Sequence, residues 1–333
     1  MINPWLQFLV CAVIIVIAGS RLTGNAAIIA KKTGIGTAWA GVLLLPLATS
    51  LPELVTTLSA VAINAPDLAL GNVLGSCLFN IAILFVIDLV EGKGPLSARI
   101  SQAHIITASL SIMTISLAAI GLLGITYFPV GWVGLETLLI AAIYLLGSRL
   151  IYVNEKKALI DIKTTDDVYF QGKDVTAGRA LLNFMIAALF ILVVGVLLVN
   201  ATDRIAIETG LGYTFVGSIF LAISTSLPEV VTTMSAIRLG FPDMAVANIF
   251  GANFMNLLIV FIADLFYTKG PLLSAASDGN ILSALMVIML SSIFIFGLLF
   301  RSEKTVIRVG FDTLLILFGY LVAAYLLFKS GGN

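Results

Sequence analysis

Charge is scarce in this chain, and histidine almost absent. Of 333 residues, 11% are Asp, Glu, Lys or Arg, and His104 is the sole histidine. A soluble domain carries roughly 25% charged residues, so this composition excludes an ordinary water-soluble protein. One histidine excludes a histidine-based metal cluster. Two cysteines, Cys11 and Cys77, both in apolar runs, exclude a disulfide framework and a CxxC centre. They read as small packing residues. Eighteen basic residues balance eighteen acidic ones, so nothing favours nucleic acid as a partner. What is present in quantity is apolar surface: 60% hydrophobic residues and a mean hydropathy of +1.11.

Apolar runs of about 20 residues suffice to cross a bilayer as helices. Ten are predicted, at roughly 3–22, 36–63, 67–90, 103–124, 128–151, 178–200, 212–239, 243–266, 279–300 and 306–328. The expected fold is therefore an all-α, polytopic membrane protein. No Lys or Arg precedes the first run, so it lacks the basic start of a signal peptide and reads as a retained helix. The only long polar stretch, 154–176, reads as a linker between a first half, 1–153, and a second half, 177–333.

The two halves repeat one another. At an offset of 176 without gaps, residues 49–96 match 225–272 at 24 of 48 positions. The same offset pairs Gly19 with Gly195, and Glu136-Thr137-Leu138-Leu139 with Asp312-Thr313-Leu314-Leu315. Five helices per half is an odd number, so the second half enters the membrane from the opposite side. Such an inverted repeat is a transporter architecture, with its site at the midplane on interrupted helices. Fifteen Lys and Arg fall on one predicted side, and only Arg204, Lys269 and Lys329 on the other. Positive residues favour the cytoplasm, which places the linker inside the cell and both termini outside a multi-pass cell-membrane protein.

The central repeat carries its chemistry in one peptide. Thr49-Ser50-Leu51-Pro52-Glu53 recurs as Thr225-Ser226-Leu227-Pro228-Glu229. A carboxylate at membrane depth costs at least ~2.5–3.5 kcal/mol and marks a functional site. No Lys or Arg lies in a central helix segment to neutralise it. Proline has no N–H, so the carbonyl four residues earlier, at Ala48 or Ser224, is released from the helix. Thr49 and Thr57 flank Glu53 one turn away on the same face, as Thr225 and Thr233 flank Glu229. Carboxylates, hydroxyls and bare carbonyls are hard oxygen donors, suited to Ca²⁺ or Na⁺ rather than to zinc or copper. Ser76 and Asn80 share a face of the next helix, and Ala252 and Asn256 are their equivalents.

Other acidic groups read as structural. Asp67 and Asp243 follow prolines and are expected to cap helices. Asp88 and Asp264 are expected to pair with Lys93 and Lys269. Glu136 and Asp312 lie near helix starts, where a carboxylate suits the helix dipole. His104 also sits near a helix start, where proton sensing is a minor reading.

The paired T-S-L-P-E peptides, with Gly71-Asn72-Val73-Leu74-Gly75-Ser76 through Asn80 and Ala247-Asn248-Ile249-Phe250-Gly251-Ala252-Asn253 through Asn256, resemble the two alpha-repeats of the calcium/cation antiporter superfamily, closest to its sodium/calcium exchanger branch. The resemblance covers the whole chain. It implies ten helices, a central Ca²⁺ site and flanking Na⁺ sites, used in alternation. Glu53 and Glu229 would then be bidentate Ca²⁺ ligands, with main-chain oxygens from Thr49 and Thr225. Ser50, Ser76 and Ser226 would help form Na⁺ sites, and Asn80 would complete the centre, with Asn256 at the matching place. Two departures stand out. The second repeat often reads G-S-N-x-x-D but here reads Gly251-Ala252-Asn253-Phe254-Met255-Asn256, and Ala48 and Ser224 replace a glycine.

The missing acid implies a centre of charge −2, neutralised by one Ca²⁺ or two Na⁺. The expected activity is electroneutral Na⁺/Ca²⁺ antiport. Exchange of Ca²⁺ or another cation for H⁺ on the same fold is the alternative. A channel is disfavoured by the inverted repeat and the broken helices. An intramembrane enzyme is disfavoured because G-x-S-x-G and H-E-x-x-H are absent. No cofactor and no protein partner is implied beyond the transported ions and the lipid bilayer. Helices 1 and 6 are expected to slide over a core of helices 2, 3, 7 and 8, with Gly19 and Gly195 easing that motion.

Overall fold

A computed structural model describes residues 3–124, 129–161, 175–208, 222–301, 305–306 and 309–331. Helix α1 spans Pro4–Thr33 and begins where Asn3 accepts hydrogen bonds from the N–H groups of Trp5 and Leu6. The expected end near residue 22 is overrun by eleven residues. Arg21 faces outward, while the small residues Ala26, Ala27 and Ala30 carry the helix on through the protein interior.

The segment expected as one helix over 36–63 is broken. It runs as α2 (Thr37–Trp39), a π-helical turn (Ala40–Leu44), α3 (Leu45–Thr49) and α4 (Leu51–Ala62). The break lies at Ser50, two residues before Pro52, and bends the span by 46°. Then follow α5 (Pro66–Glu91), a short α6 (Leu96–Arg99) and α7 (His104–Leu122). Helix α8 covers Leu135–Asp161 and so extends into the stretch expected as linker. Residues 162–174 of that stretch lie outside the described residues, as do 212–221 of the expected seventh helix. The second half continues with α9 (Ala177–Glu208), α10 (Leu227–Arg238), α11 (Pro242–Phe266), a 3₁₀ turn at Leu273–Ala275, α12 (Gly279–Phe300) and α13 (Phe311–Gly331).

Two expected helix starts are hairpins instead. Pro129–Val130 pairs antiparallel with Val133–Gly134, and Thr305–Val306 with Val309–Gly310. β-Branched valines favour the extended strand, and in the first hairpin Gly131 supplies a turn residue at φ 70°.

Among the described residues, eight helices are long and apolar enough to cross a membrane, and the bent α2–α4 segment makes a ninth. The protein is a nearly all-helical membrane protein. Helices α5 and α11 form its centre, packed against each other. Each is then flanked by late helices of the opposite half: α5 by α12 and α13, α11 by α7 and α8. Close approach at the break depends on small residues. A side chain at Gly251 would collide with the Val42 backbone, and one at Gly41 with the Met244 carbonyl. The π turn therefore lies directly on α11.

Four carboxylates, Asp88 and Asp264 buried and Asp67 and Asp243 nearer the surface, tie the two halves together, and their partners overturn two expectations. Asp88 accepts from the N–H groups of Leu96 and Gly310 and from the Thr313 hydroxyl. Asp264 accepts from the equivalent Leu272, Gly134 and Thr137. Among the described residues, neither carboxylate pairs with the expected lysine. Lys93 is 72% exposed and reaches Glu91 at 3.7 Å. Asp67 and Asp243 do not cap their helices, since each lies inside the first turn rather than before it. Asp67 instead accepts from Ser277 and Asn280. Asp243 accepts from Ser101 and from His104, whose Nε2 lies 2.9 Å away. His104 is thus the counterpart of Asn280 in a repeated tie. Glu136 and Asp312 do occupy the first turns of α8 and α13, as expected.

Candidate cation site

The predicted cation ligands Thr49, Ser50, Glu53, Ser76, Asn80, Thr225, Ser226, Glu229 and Asn256 are all buried, on α3, α4, α5, α10 and α11 and at the breaks before α4 and α10. Glu53 and Glu229 are each 1% exposed. Each sits in the first turn of a helix that restarts after a break, and each is met by a serine of the other repeat. Ser50 donates to Glu229 Oε1 at 3.2 Å, and Ser226 to Glu53 Oε1 at 3.5 Å. Serine sits at the break in both halves, so the same kink that frees backbone carbonyls also aims these hydroxyls across the centre. Ser76 and Thr225 link at 3.5 Å between the halves. Thr49 is fully buried.

The asparagines are arranged in one sense. Asn72 gives its amide N–H to Thr57, and Asn248 gives its own to Thr232 and Thr233. Asn80 donates to Asn253 Oδ1 at 3.0 Å, and Asn256 to the Cys77 sulfur at 3.8 Å. The amide nitrogens are spent on protein. Among the described residues, the oxygens of Asn72, Asn80, Asn248 and Asn256 have no hydrogen-bond partner, nor do Glu53 Oε2, Glu229 Oε2 and the Thr49 hydroxyl. A buried acceptor without a partner costs about 1–3 kcal/mol. These seven atoms, two from the carboxylates and five from their neighbours, form a set of electron-rich oxygens with few donors, which is what a hard cation requires. Among the described residues no three His, Cys, Asp or Glu side chains gather, so carbonyl and hydroxyl oxygens outnumber the carboxylates here.

Sequence reasoning missed four contributors. Asn253 ties Asn80 to the Cys77 carbonyl. Cys77, read as packing only, orients Asn256. Asn72 and Asn248 were recognised as a repeated pair without a role. Their signal was available: Asn72, Ser76 and Asn80 are four residues apart, hence on one helical face, as are Asn248, Ala252 and Asn256. Ala252 is fully buried within α11 and supplies no side-chain oxygen.

The helices expected to move touch this centre through glycines. A Cβ at Gly195 on α9 would lie 2.5 Å from Pro52 Cγ, and one at Gly19 on α1 would lie 2.8 Å from Val231 Cγ1. Thr23 of α1 also donates to the Thr232 carbonyl, and Thr202 of α9 to Ser224.

Comparison with known proteins agrees with this architecture. The family described as sodium/calcium exchanger protein matches residues 3–153 and again 179–329. The inner membrane protein YrbG of Escherichia coli is 27% identical over 259 residues, 78% of each chain. The sodium/calcium exchanger MaX1 of Methanosarcina acetivorans is 42% identical over 59 residues, 17% of each chain. Among solved structures, the sodium-calcium exchanger NCX_Mj superposes with a TM-score of 0.74 at 18% identity, covering 98% of this chain and 99% of that one.

Proposed function

The chain belongs to the sodium/calcium exchanger family, and from that premise we propose that it exchanges Ca²⁺ for Na⁺ across a cell membrane by alternating access. The observation that carries the proposal is the cluster of buried oxygens between the two broken helices, with Glu53 and Glu229 at its centre. Ca²⁺ is held by both carboxylates, with Thr49, Thr225, Asn80 and Asn256 completing the oxygen shell. Na⁺ takes the flanking positions near Ser50, Ser76 and Ser226. Ten spans in two inverted halves place this centre at the midplane, with the linker in the cytoplasm and both termini outside.

The two glutamates supply a charge of −2. Asn256 and Ala252 add an amide and a methyl where an acid and a hydroxyl would raise the negative charge and the ligand count. One Ca²⁺ or two Na⁺ neutralise the centre, so the exchange is two for one. Alternation comes from α1 and α9 sliding over the core while Gly19 and Gly195 pass its hinge residues.

The test is ⁴⁵Ca²⁺ uptake into proteoliposomes loaded with Na⁺, beside vesicles with an acidic interior and no Na⁺. The expected result is uptake driven by the Na⁺ gradient and lost in Glu53→Gln. Uptake driven by the proton gradient alone would replace this reading with cation/proton exchange. No uptake under either gradient would remove Ca²⁺ as the substrate.

A further inference from the structure

A cavity with a volume of about 460 Å³ lies away from the ion site, between α1 and α9. That is within the ~300–1,000 Å³ of small-molecule sites. Its walls change character along its length. Ile14, Ile17 and Phe190 line one end, and Arg21, Asn25 and Asn183 the other.

The helix register extends this polar end. Gln7 donates to the Leu197 carbonyl, Ile14 and Phe190 line one end of the cavity, and Arg21 and Asn183 the other. These pairs keep a constant sum of residue numbers, as an antiparallel pair must. Four residues further along each helix, the same register sets Arg179 opposite Asn25, on the face that carries Asn183. Both arginines are exposed, and neither forms a salt bridge among the described residues. Arg21 lies seventeen residues after Pro4, about 26 Å along the helix axis, close to the ~30 Å thickness of a hydrocarbon core. The guanidinium ends thus reach headgroup level while the apolar end of the cavity faces acyl chains.

We propose that this cavity is a binding site for one anionic phospholipid, an acyl chain lying between Ile14, Ile17 and Phe190 and the phosphate held by Arg21 and Arg179. Basic pockets between membrane helices at the headgroup level take such lipids. A free phosphate would satisfy the arginines but leave the apolar part of the cavity without an occupant. Asn25 already gives one amide N–H to the Arg21 carbonyl; its second N–H and the amide of Asn183 remain for the headgroup.

The test is native mass spectrometry of the delipidated full chain, titrated with phosphatidylglycerol or phosphatidylcholine. The expected result is one retained phosphatidylglycerol, bound about fivefold more weakly in Arg21→Gln and about fivefold again when Arg179→Gln is added, since each basic residue near an anionic headgroup contributes on that order. Ile186 also lines the cavity, and Ile186→Trp is expected to abolish retention while the thermal midpoint in detergent stays that of the wild type. Equal retention of the two lipids, or an unchanged double variant, would overturn the proposal. So would displacement of the lipid by glycerol phosphate together with unimpaired binding in Ile186→Trp, which would mark a surface anion contact with no seated chain.

Discussion

At the scale of single residues, the site depends on which end of each amide points inward. Asn256 spends its nitrogen on the Cys77 sulfur, which leaves its oxygen turned toward the site. Cys77→Ala removes that acceptor and lets the amide rotate. A net hydrogen bond contributes about 0.5–1.5 kcal/mol, and a thiol is a weak acceptor, so the apparent Ca²⁺ affinity is expected to fall about two- to fivefold. Cys77→Ser restores an acceptor and should restore affinity, because only orientation is at stake. Isothermal titration of Ca²⁺ into the purified variants measures both. If Ala and Ser behave alike, Cys77 acts by packing and not by orientation.

Elements impose a different constraint, because glycine contacts decide how close the outer pair can approach the hinge. A Cβ added at Gly195 would meet proline, whose ring cannot move aside, at 2.5 Å, whereas one added at Gly19 would meet the end of a valine at 2.8 Å. Gly195→Ala is therefore expected to impair both Ca²⁺ binding and exchange. Gly19→Ala should slow initial rates of ⁴⁵Ca²⁺ uptake with little change in equilibrium affinity. The reverse order of severity would refute sliding across these contacts. The helix ends give a second prediction. Asp88→Asn turns an amide N–H toward one of two backbone N–H donors, that of Leu96 or that of Gly310, at a cost of about 1–3 kcal/mol. It is expected to lower the thermal midpoint in detergent, as Asp264→Asn should, while Lys93→Ala leaves it unchanged. Much of this level was legible in the sequence. Proline and the repeated T-S-L-P-E marked the broken helices, and the hydrophobic runs marked the spans. The hairpins before α8 and α13 were hidden because their valines and glycines read equally well as part of an apolar run. The partners of Asp67, Asp88, Asp243 and Asp264 were hidden because they lie more than 120 residues away, in the other half. Only Leu96 and Leu272, eight residues on, are local. Sequence proximity suggested lysine instead. The site was legible in its carboxylates and hydroxyls, which are costly at membrane depth and so conspicuous. Its orienting groups, Cys77 and Asn253, carry no such mark.

For the whole molecule, the decisive quantity is the charge moved per cycle. With −2 at the centre, the proposed two-for-one cycle would carry Ca²⁺ one way and two Na⁺ the other, both across a neutral site, and membrane voltage would do no net work. If three Na⁺ were exchanged, one net charge would cross per cycle, and ~100 mV would add about 2.3 kcal/mol to the driving force. That is a shift of about fiftyfold in the Ca²⁺ gradient at balance, by the same free energy. Proteoliposomes clamped with potassium and valinomycin, at fixed Na⁺ gradient, read this directly. The expected outcome for the native chain is a balance point that does not move with voltage. The charge argument also makes a positive prediction. Asn256→Asp with Ala252→Ser restores an acid and a hydroxyl at the two positions where this chain lacks them, raising the central charge to −3. The doubly substituted protein should accept a third Na⁺ and become voltage-sensitive, while Ala252→Ser alone, adding a ligand without charge, should not. A steep voltage response in the native chain would mean that a third Na⁺ binds without a matching carboxylate, and the link from Asn256 to stoichiometry would fail.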